Sequence, residues 1–405
     1  MKFSLRLSYQ NYSHFFWIRN SLPNKILDNN SMRSGKYIKQ FSGDFQYKSF
    51  IPNELPFKIN LNDSLQDLLS KANLALGRLD GIVEILPDVD FFILMFLRKE
   101  ATLSSQIEGT QATFSDLLKA ESKLENAEIH NDVDEIQNYL ESINYGLERL
   151  NTLPLSLHLI KEIHEKLLKG VRGENKTPGE FRRSQNWVGG TSIQNASFIP
   201  PPVNEMNQSL HNLEKFIYDK SPLPALIKIG IIHSQFESIH PFLDGNGRIE
   251  RLLITFYLCQ RGILKKPMLY LSEYLKKNRQ NYYDKLNDIR ENDDIEGWLR
   301  FFLEGVKVTS DNAVETVKKI NEIRNSDLEK VIKKGISKEK SIILFNYLYR
   351  SPYINIKSVE KVTAAKNPTA IGIVNNFIDL EILKEVTRKK RNRVFLYDKY
   401  LKLFE

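Results

Sequence analysis

Cysteine is nearly absent: Cys259 stands alone in 405 residues. No disulfide framework can exist within the chain, and a reducing compartment is expected. No apolar run approaches the roughly 18–20 residues of a membrane span. The N-terminus carries early Lys and Arg residues but lacks an apolar core with a small-residue cleavage site, which argues against a secretory signal. A cytoplasmic location without membrane contact is therefore expected. Gly-x-x-x-x-Gly-Lys-Ser/Thr is missing, which excludes an ordinary phosphate-loop ATPase. Zinc-site spacing is missing as well. His158 and His164 stand six apart and miss a common helical face, while His233 reads as a packed helical residue rather than a ligand. Charge is not extreme, with a net of +8, and the Lys-Glu mixtures in 119–136 and 314–340 read as solvent-exposed helices. The length is enough for two or three domains with a sizeable core.

The densest chemistry lies in His240-Pro-Phe-Leu-Asp-Gly-Asn-Gly-Arg-Ile-Glu-Arg251. Ala225 to Ile239 is rich in apolar and helix-forming residues, and Ile249 to Cys259 resumes that pattern. The string therefore reads as a tight loop between two helices, the second starting near Arg248. Gly245 and Gly247 allow positive φ and close approach of backbone to a ligand. Successive N–H groups entering a helix N-terminus make a concavity for phosphate oxygens. Asn246 is suited either to contact a phosphate or to orient the loop. Arg248 and Arg251, on roughly one helical face, can fork onto anionic oxygens. Asp244 is a hard oxygen ligand suited to one Mg²⁺ shared with a diphosphate, and His240 can accept a proton near neutral pH. Each residue alone is ordinary in a turn or on a helix face. No turn requires all of them together.

This string resembles the signature of the Fic family, His-x-Phe-x-Asp/Glu-Gly-Asn-Gly-Arg-x-x-Arg, at every specified position. The resemblance implies transfer of AMP from ATP to a Ser, Thr or Tyr hydroxyl of a target protein. It implies that His240 deprotonates that hydroxyl, Asp244 holds Mg²⁺, and Gly245, Asn246 and Gly247 line the anion hole. Arg248 and Arg251 are implied to bind the distal phosphates, with Phe242 a core anchor. Upstream, Ser104-Ser-Gln-Ile-Glu108-Gly109 resembles an inhibitory motif of one class of Fic proteins, Ser/Thr-x-x-x-Glu-Gly/Asn. There the glutamate pairs with the second signature arginine, which implies that Glu108 pairs with Arg251 and occupies the γ-phosphate's place. By itself the segment reads as a helical Glu before a Gly C-cap.

Gly179 to Gly190 and Ala196 to Pro202 carry β-branched, aromatic, Gly and Pro residues, so a short hairpin and a loop are expected. They resemble the family's flap, which implies that Ser197, Phe198, Ile199 and Pro200 receive a target segment by strand addition. Asn278 to Tyr283 resembles a segment beside the adenine, with Tyr283 the better stacking candidate. Residues 1–35 match nothing in the family and are expected to be a disordered or poorly packed extension, with Met32 a second candidate start.

Near the C-terminus, Lys338 to Tyr349, Ile356 to Ala365 and a helix opening at Asn367 and reaching about Leu380 precede two strands, Glu381 to Val386 and Val394 to Tyr397. Asn367 is expected to cap the third helix with Pro368 at its first position, and a basic turn including Lys389 and Arg391 joins the strands. The arrangement looks like a winged helix, which opens a rival reading: a DNA-binding transcriptional regulator with the Fic core as nucleotide sensor. The expected architecture is mainly α: a Fic-type helical core with a short β-hairpin flap, plus a winged-helix-like domain. Boundaries are placed at 36–135 for an N-terminal helical region with the inhibitory motif, 136–310 for the core, 311–335 for a linker helix and 336–405 for the last domain. ATP and Mg²⁺ are the expected cofactors and a hydroxyl-bearing protein the expected partner, with homodimerisation left open.

Overall fold

A computed structural model describes residues 32–404, except 42, 44–45, 84–88, 124–129, 335–336 and 388–390. The expected disorder of the N-terminal extension falls largely outside the described residues. Its last residues, however, are packed. Arg33 forks onto Glu296 at 2.8 and 2.9 Å and meets Asp293 at 2.8 Å, and Ser34 is buried.

The elements run β1 (Gly35–Gln40), β2 (Tyr47–Pro52), α1 (Asp63–Val83), α2 (Val89–Ile107), α3 (Phe114–Glu121), α4 (Val133–Arg149), α5 (Leu157–Leu167), α6 (Val203–Tyr218), α7 (Ala225–Ile239) and α8 (Asn246–Gln260). There follow α9 (Ser272–Lys277), α10 (Arg279–Asn292), α11 (Ile295–Lys334), α12 (Lys338–Arg350), β3 (Tyr353–Asn355), α13 (Ile356–Thr363), α14 (Asn367–Asp379), β4 (Lys384–Glu385), β5 (Val394–Leu396) and α15 (Asp398–Leu401). The fold is mainly helical. No helix of the described residues is long and apolar enough to cross a membrane.

α7 is the centre. Every residue from Leu226 to Ile239 is buried, as expected of a helix that is apolar on nearly all sides and enclosed by others. Trp298 of α11 donates its indole N–H to the Gly230 carbonyl at 2.8 Å, which locks α11 across α7. α4 is amphipathic, burying Val133, Ile136, Tyr139, Leu140, Ile143 and Gly146 at the i, i+3, i+4, i+7 spacing of one helical face. It closes on α8 where Gly146 meets the Phe256 ring, a contact with no room for a Cβ. α3 starts at a capping box in which Thr113 and Asp116 satisfy each other's backbone.

Four expectations are corrected. The 36–135 region is not wholly helical, because β1 and β2 pair antiparallel from Gly35↔Pro52 to Gln40↔Tyr47. The second signature helix starts at Asn246, two residues before Arg248. The expected 311–335 linker has no break at its start, since α11 runs unbroken from Ile295 to Lys334. Lys366 rather than Asn367 precedes α14 as its cap residue, and the Asn367 amide instead reaches Glu360 at 2.8 Å. The C-terminal region folds as three helices, α12 to α14, with a three-stranded antiparallel sheet of order β3–β5–β4. β3 is an element the sequence reading did not anticipate.

Alanine is a better helix former than glycine, yet Gly146→Ala should destabilise the protein by about 1–3 kcal/mol through overpacking on Phe256. Urea denaturation checks this, and a rise in stability would show that α4 and α8 are not closely packed.

Candidate active site

The signature loop leaves α7 through His240, whose φ of 47° and ψ of 60° are left-handed. It enters α8 through Gly245, left-handed at φ 80°. Between them the Asn246 amide ties the loop to itself. Its Oδ1 accepts the Phe242 N–H and its Nδ2 donates to the Phe242 carbonyl, both at 2.8 Å. Of its two expected roles, Asn246 therefore fills that of orienting the loop. Phe242 is fully buried and stacks on His164 at 3.7 Å with the rings 7° from parallel.

Residues outside the signature brace it. Arg182 donates Nε–H to the His240 carbonyl at 3.1 Å, and Asn186 donates to the carbonyls of His240 and Phe242 at 3.2 and 2.9 Å. His164 Nδ1 accepts the Gly179 N–H at 2.9 Å. The proton must then sit on Nε2, which lies 2.9 Å from the Asp244 carbonyl and donates to it. Burial pushes the His164 imidazole down to about 4, so it is neutral at physiological pH. None of these three had a sequence signal. His164 is one histidine on an amphipathic helix, and only the tertiary fold brings it under the loop.

The first bond of α8 runs from the Ile249 N–H to the Gly245 carbonyl at 3.1 Å. The amides ahead of it are those a helix start leaves without a carbonyl. Arg248 is fully buried, with Nη2 3.4 Å from Asp244 and Nη1 3.8 Å from Glu135. Neither its Nε nor its Nη1 has a hydrogen-bond partner. A buried guanidinium with unmet donors is costly unless an anion joins it. Asp244 keeps about a third of its side chain exposed at 34%, and its Oδ1 accepts the Gly245 N–H at 2.6 Å.

Arg251 is buried, with two of its three nitrogens hydrogen-bonded and Nη1 3.9 Å from Glu250. Nε donates to Ser104 Oγ at 2.8 Å, and Nη2 donates to the Ser104 carbonyl at 3.1 Å and to Glu108 Oε1 at 2.7 Å. Burial alone would lower its pKa, but Glu108 and Glu250 outweigh burial and raise it. The Glu108 carboxylate also fills the space where a Cβ on Gly247 would stand. It thus lies in the concavity at the start of α8. Gly109 follows at φ 102°, the backbone freedom that turns the chain away after α2. Tyr283 is half-buried beside this pair, its hydroxyl pushed up by burial and by Glu108, with the Arg279 guanidinium 5.9 Å from its ring centre.

The expected flap contracts to a single antiparallel bridge, Val188↔Phe198, with a 3₁₀ turn at Ile193–Asn195. Phe198, Ile199 and Pro200 are buried and Ser197 is exposed. The Ile199 carbonyl already accepts the Phe50 N–H of β2 at 3.0 Å, so this edge is occupied from within the chain. The aromatic left exposed is Trp187, at 41%. Strand addition at Ser197 to Pro200 would thus have to use groups other than the Ile199 carbonyl, which β2 already engages.

Comparison with known proteins agrees with this architecture. The Fic/DOC family N-terminal model matches residues 66–148 and the Fic/DOC family model matches residues 154–258. The protein adenylyltransferase Fic of Aedes aegypti is 31% identical over 182 residues, 45% of this chain and 34% of that protein. A probable protein adenylyltransferase of Aquifex aeolicus strain VF5 is 30% identical over 133 residues, 33% of this chain and 36% of that protein. The chain thus spans about a third of the length of these curated relatives. A crystal structure of a Fic family protein from Desulfovibrio desulfuricans G20 shares the fold, with a TM-score of 0.56 at 16% identity over 85% of this chain and 98% of that one.

His164 sets a testable pH dependence. Its folded pKa of about 4 lies below the ordinary 6.5, so the unfolded chain binds the proton first as pH falls. Its contribution is complete above about pH 6.5 and is lost toward pH 4, a change of about 3 kcal/mol. His164→Gln should be less stable at about pH 7.5 but lose correspondingly less on acidification to about pH 4.5 in urea titrations. An unaltered acid slope would show that His164 titrates normally in the fold. Residues 66–148 and 154–258 of this chain thus match the Fic/DOC family N-terminal and Fic/DOC family domains.

Proposed function

We propose that this chain is a protein adenylyltransferase that moves AMP from Mg-ATP to a Ser, Thr or Tyr hydroxyl of a target protein and of itself, restrained by Glu108. One observation carries the reading. Arg248 is a buried guanidinium with two unpartnered nitrogens at a glycine-lined helix start, in the same loop as the partly exposed His240 imidazole. That set matches a nucleotide phosphate next to a base, and relatives named protein adenylyltransferase support it.

His240 takes the proton of the target hydroxyl as its oxygen bonds the α-phosphorus. The bond from that phosphorus to the bridging oxygen breaks, and pyrophosphate leaves with the electron pair. Amides at the start of α8 face the α-phosphate, and Arg248 meets the negative charge that develops. Such preorganised electrostatics is usually the largest catalytic contribution. Asp244 fits a magnesium ion shared with the phosphates, because its carboxylate is partly exposed beside Arg248 and one or two carboxylates plus phosphates is the usual Mg²⁺ set. When bound, the ion would neutralise phosphate charge. Tyr283 is placed to flank the adenine, and Trp187 offers an aromatic anchor for a target segment on the open side of the flap loop.

Restraint follows from the Glu108–Arg251 pair. While the carboxylate sits over Gly247, it occupies the place of a phosphate and removes a cation from the site. A winged-helix reading of residues 336–405 is supported by the order α12–β3–α13–α14–β4–β5. DNA binding finds less support, since α14, which would enter a groove, carries no Lys or Arg and exposes Ile371.

Glu108→Gly should raise self-labelling from α-labelled ATP by about tenfold or more, a typical coupling energy, and His240→Ala should abolish it. An unchanged rate in the Glu108 variant removes Glu108 from the mechanism. No transfer from any labelled nucleotide in that variant removes the transferase reading.

A further inference from the structure

We propose that Glu237 and Glu250 form a proton-sharing carboxyl pair that positions His240, with Glu237 facing Nδ1 so that Nε2 is left to take the target's proton. The inference rests on the transferase reading for its consequence and on side-chain geometry for its substance.

His240 ends α7 in the left-handed region, a conformation costing a non-glycine residue about 1–2 kcal/mol. The arginine and asparagine bonds to its carbonyl hold it there. The turn brings Nδ1 to 3.5 Å from Glu237 Oε1, within ion-pair range, and Nδ1 has no other partner. Glu237 is buried, as is Glu250 one helix away on α8. The two carboxyls face each other closely enough that each alters the charge state of the other, and Oε2 of each is buried without a hydrogen-bond partner. Two carboxylates so placed cannot both ionise. A single proton between them satisfies both orphaned oxygens.

The neighbours decide where that proton sits. Glu237 faces His240, Glu250 and Arg290, whereas Glu250 faces Glu237, His233, Arg251 and Tyr282. Burial followed by the Glu237 charge raises the Glu250 carboxyl well above the carboxylate range. Burial acts upward on Glu237 too, but the adjoining His240 overrides it and holds Glu237 down. Glu250 therefore carries the proton and donates to Glu237.

Donor counting gives the chain a direction. Tyr282 has one hydroxyl proton, which it donates to Glu250 Oε1. His233 Nε2, 3.0 Å from the Tyr282 oxygen, must then be the donor in that pair, which leaves Nδ1 bare and agrees with its lack of a partner. Burial keeps the His233 imidazole neutral by lowering it to about 3. Donation thus runs from His233 to Tyr282 to Glu250 to Glu237, and Glu237 remains an acceptor for a proton on His240 Nδ1. Nε2 is then the free base. When it takes the hydroxyl proton, the imidazolium is held against Glu237 and no proton moves onto the carboxylate. Glu237 is a positioning residue.

The test uses the full chain carrying Glu108→Gly. NMR of ¹⁵N-histidine-labelled protein should show His240 as the Nδ1–H tautomer, and this tautomer should be lost in Glu237→Gln. Glu237→Gln should lower kcat by about 100-fold or more, as loss of an orienting carboxylate does elsewhere, with KM for ATP little altered. Glu250→Gln keeps a donor toward Glu237 and an acceptor for Tyr282, so its loss should be at least about ten times smaller. An Nε2–H tautomer in the parent, equal losses in the two Gln variants, or a change confined to KM would overturn the pair. Absence of any nucleotide transfer in the Glu108→Gly parent would sink the transferase reading instead, while the tautomer measurement would still decide the pair.

Discussion

A guanidinium taken out of water needs compensating charge and fully used donors, and the active region is organised by meeting that need at Arg251. The side chain reaches from α8 to the end of α2, where Ser104 and Glu108 meet it one turn apart, with Glu250 of its own helix alongside. Removing one partner of such a buried pair generally costs about 3–5 kcal/mol. The N-terminal helix and the phosphate loop are therefore held by one electrostatic knot. The contrast with Arg248, three residues earlier, is what gives the site its character. One cation is satisfied by protein, and its neighbour waits with donors unmet.

That asymmetry requires a loop that does not relax to satisfy Arg248 by itself. The Asn246 amide closes on Phe242, His164 stacks beneath it, and Arg182 and Asn186 hold the carbonyls of the turn. Together these remove the loop's usual freedom to collapse onto its own cations. Preorganisation of this kind is what allows fixed dipoles to act on developing charge without reorganising. The αL geometry of His240 belongs to the same scheme, since it is imposed by bonds from the flap segment and turns the imidazole back toward Glu237.

The sequence was most legible where the candidate site is a contiguous string. His240, Asp244, the two glycines and both arginines share one loop, and the six-residue motif of Glu108 sits one helix away. Residues that act through tertiary contact were silent. His164 and Arg182 are bound to the loop only by the fold, and Glu250 reads as an ordinary helical charge until burial is known. The β1–β2 hairpin left little trace, because Gly35-Lys-Tyr-Ile-Lys-Gln sets two apolar residues side by side instead of alternating, and it lay inside a region read as helical. The flap went the other way. Its strand-forming residues are real, yet they pair with each other only at Val188 and Phe198, and the next carbonyl, that of Ile199, is taken by Phe50 of β2.

The far end of α2 determines how Glu108 can leave Arg251. Arg98 donates to the Arg350 carbonyl at 2.7 Å and pairs with Glu121 at 2.6 Å. Ser115 meets Tyr353 at 2.8 Å, and Phe96 packs on Phe404 with ring centres 5.3 Å apart. These contacts pin the body of α2 between the core and the C-terminal helices, so lifting the whole helix would break a second buried charge network. The last turn lacks those contacts and is held instead by single bonds from Arg279 to the Ile107 carbonyl at 2.9 Å and from Arg172 to the Glu108 carbonyl at 3.2 Å. It ends in Gly109 at positive φ, where a backbone rotation costs little, and Glu108 keeps 29% of its side chain exposed. Unwinding one turn frees Arg251 while leaving Arg98 and the aromatic contacts in place.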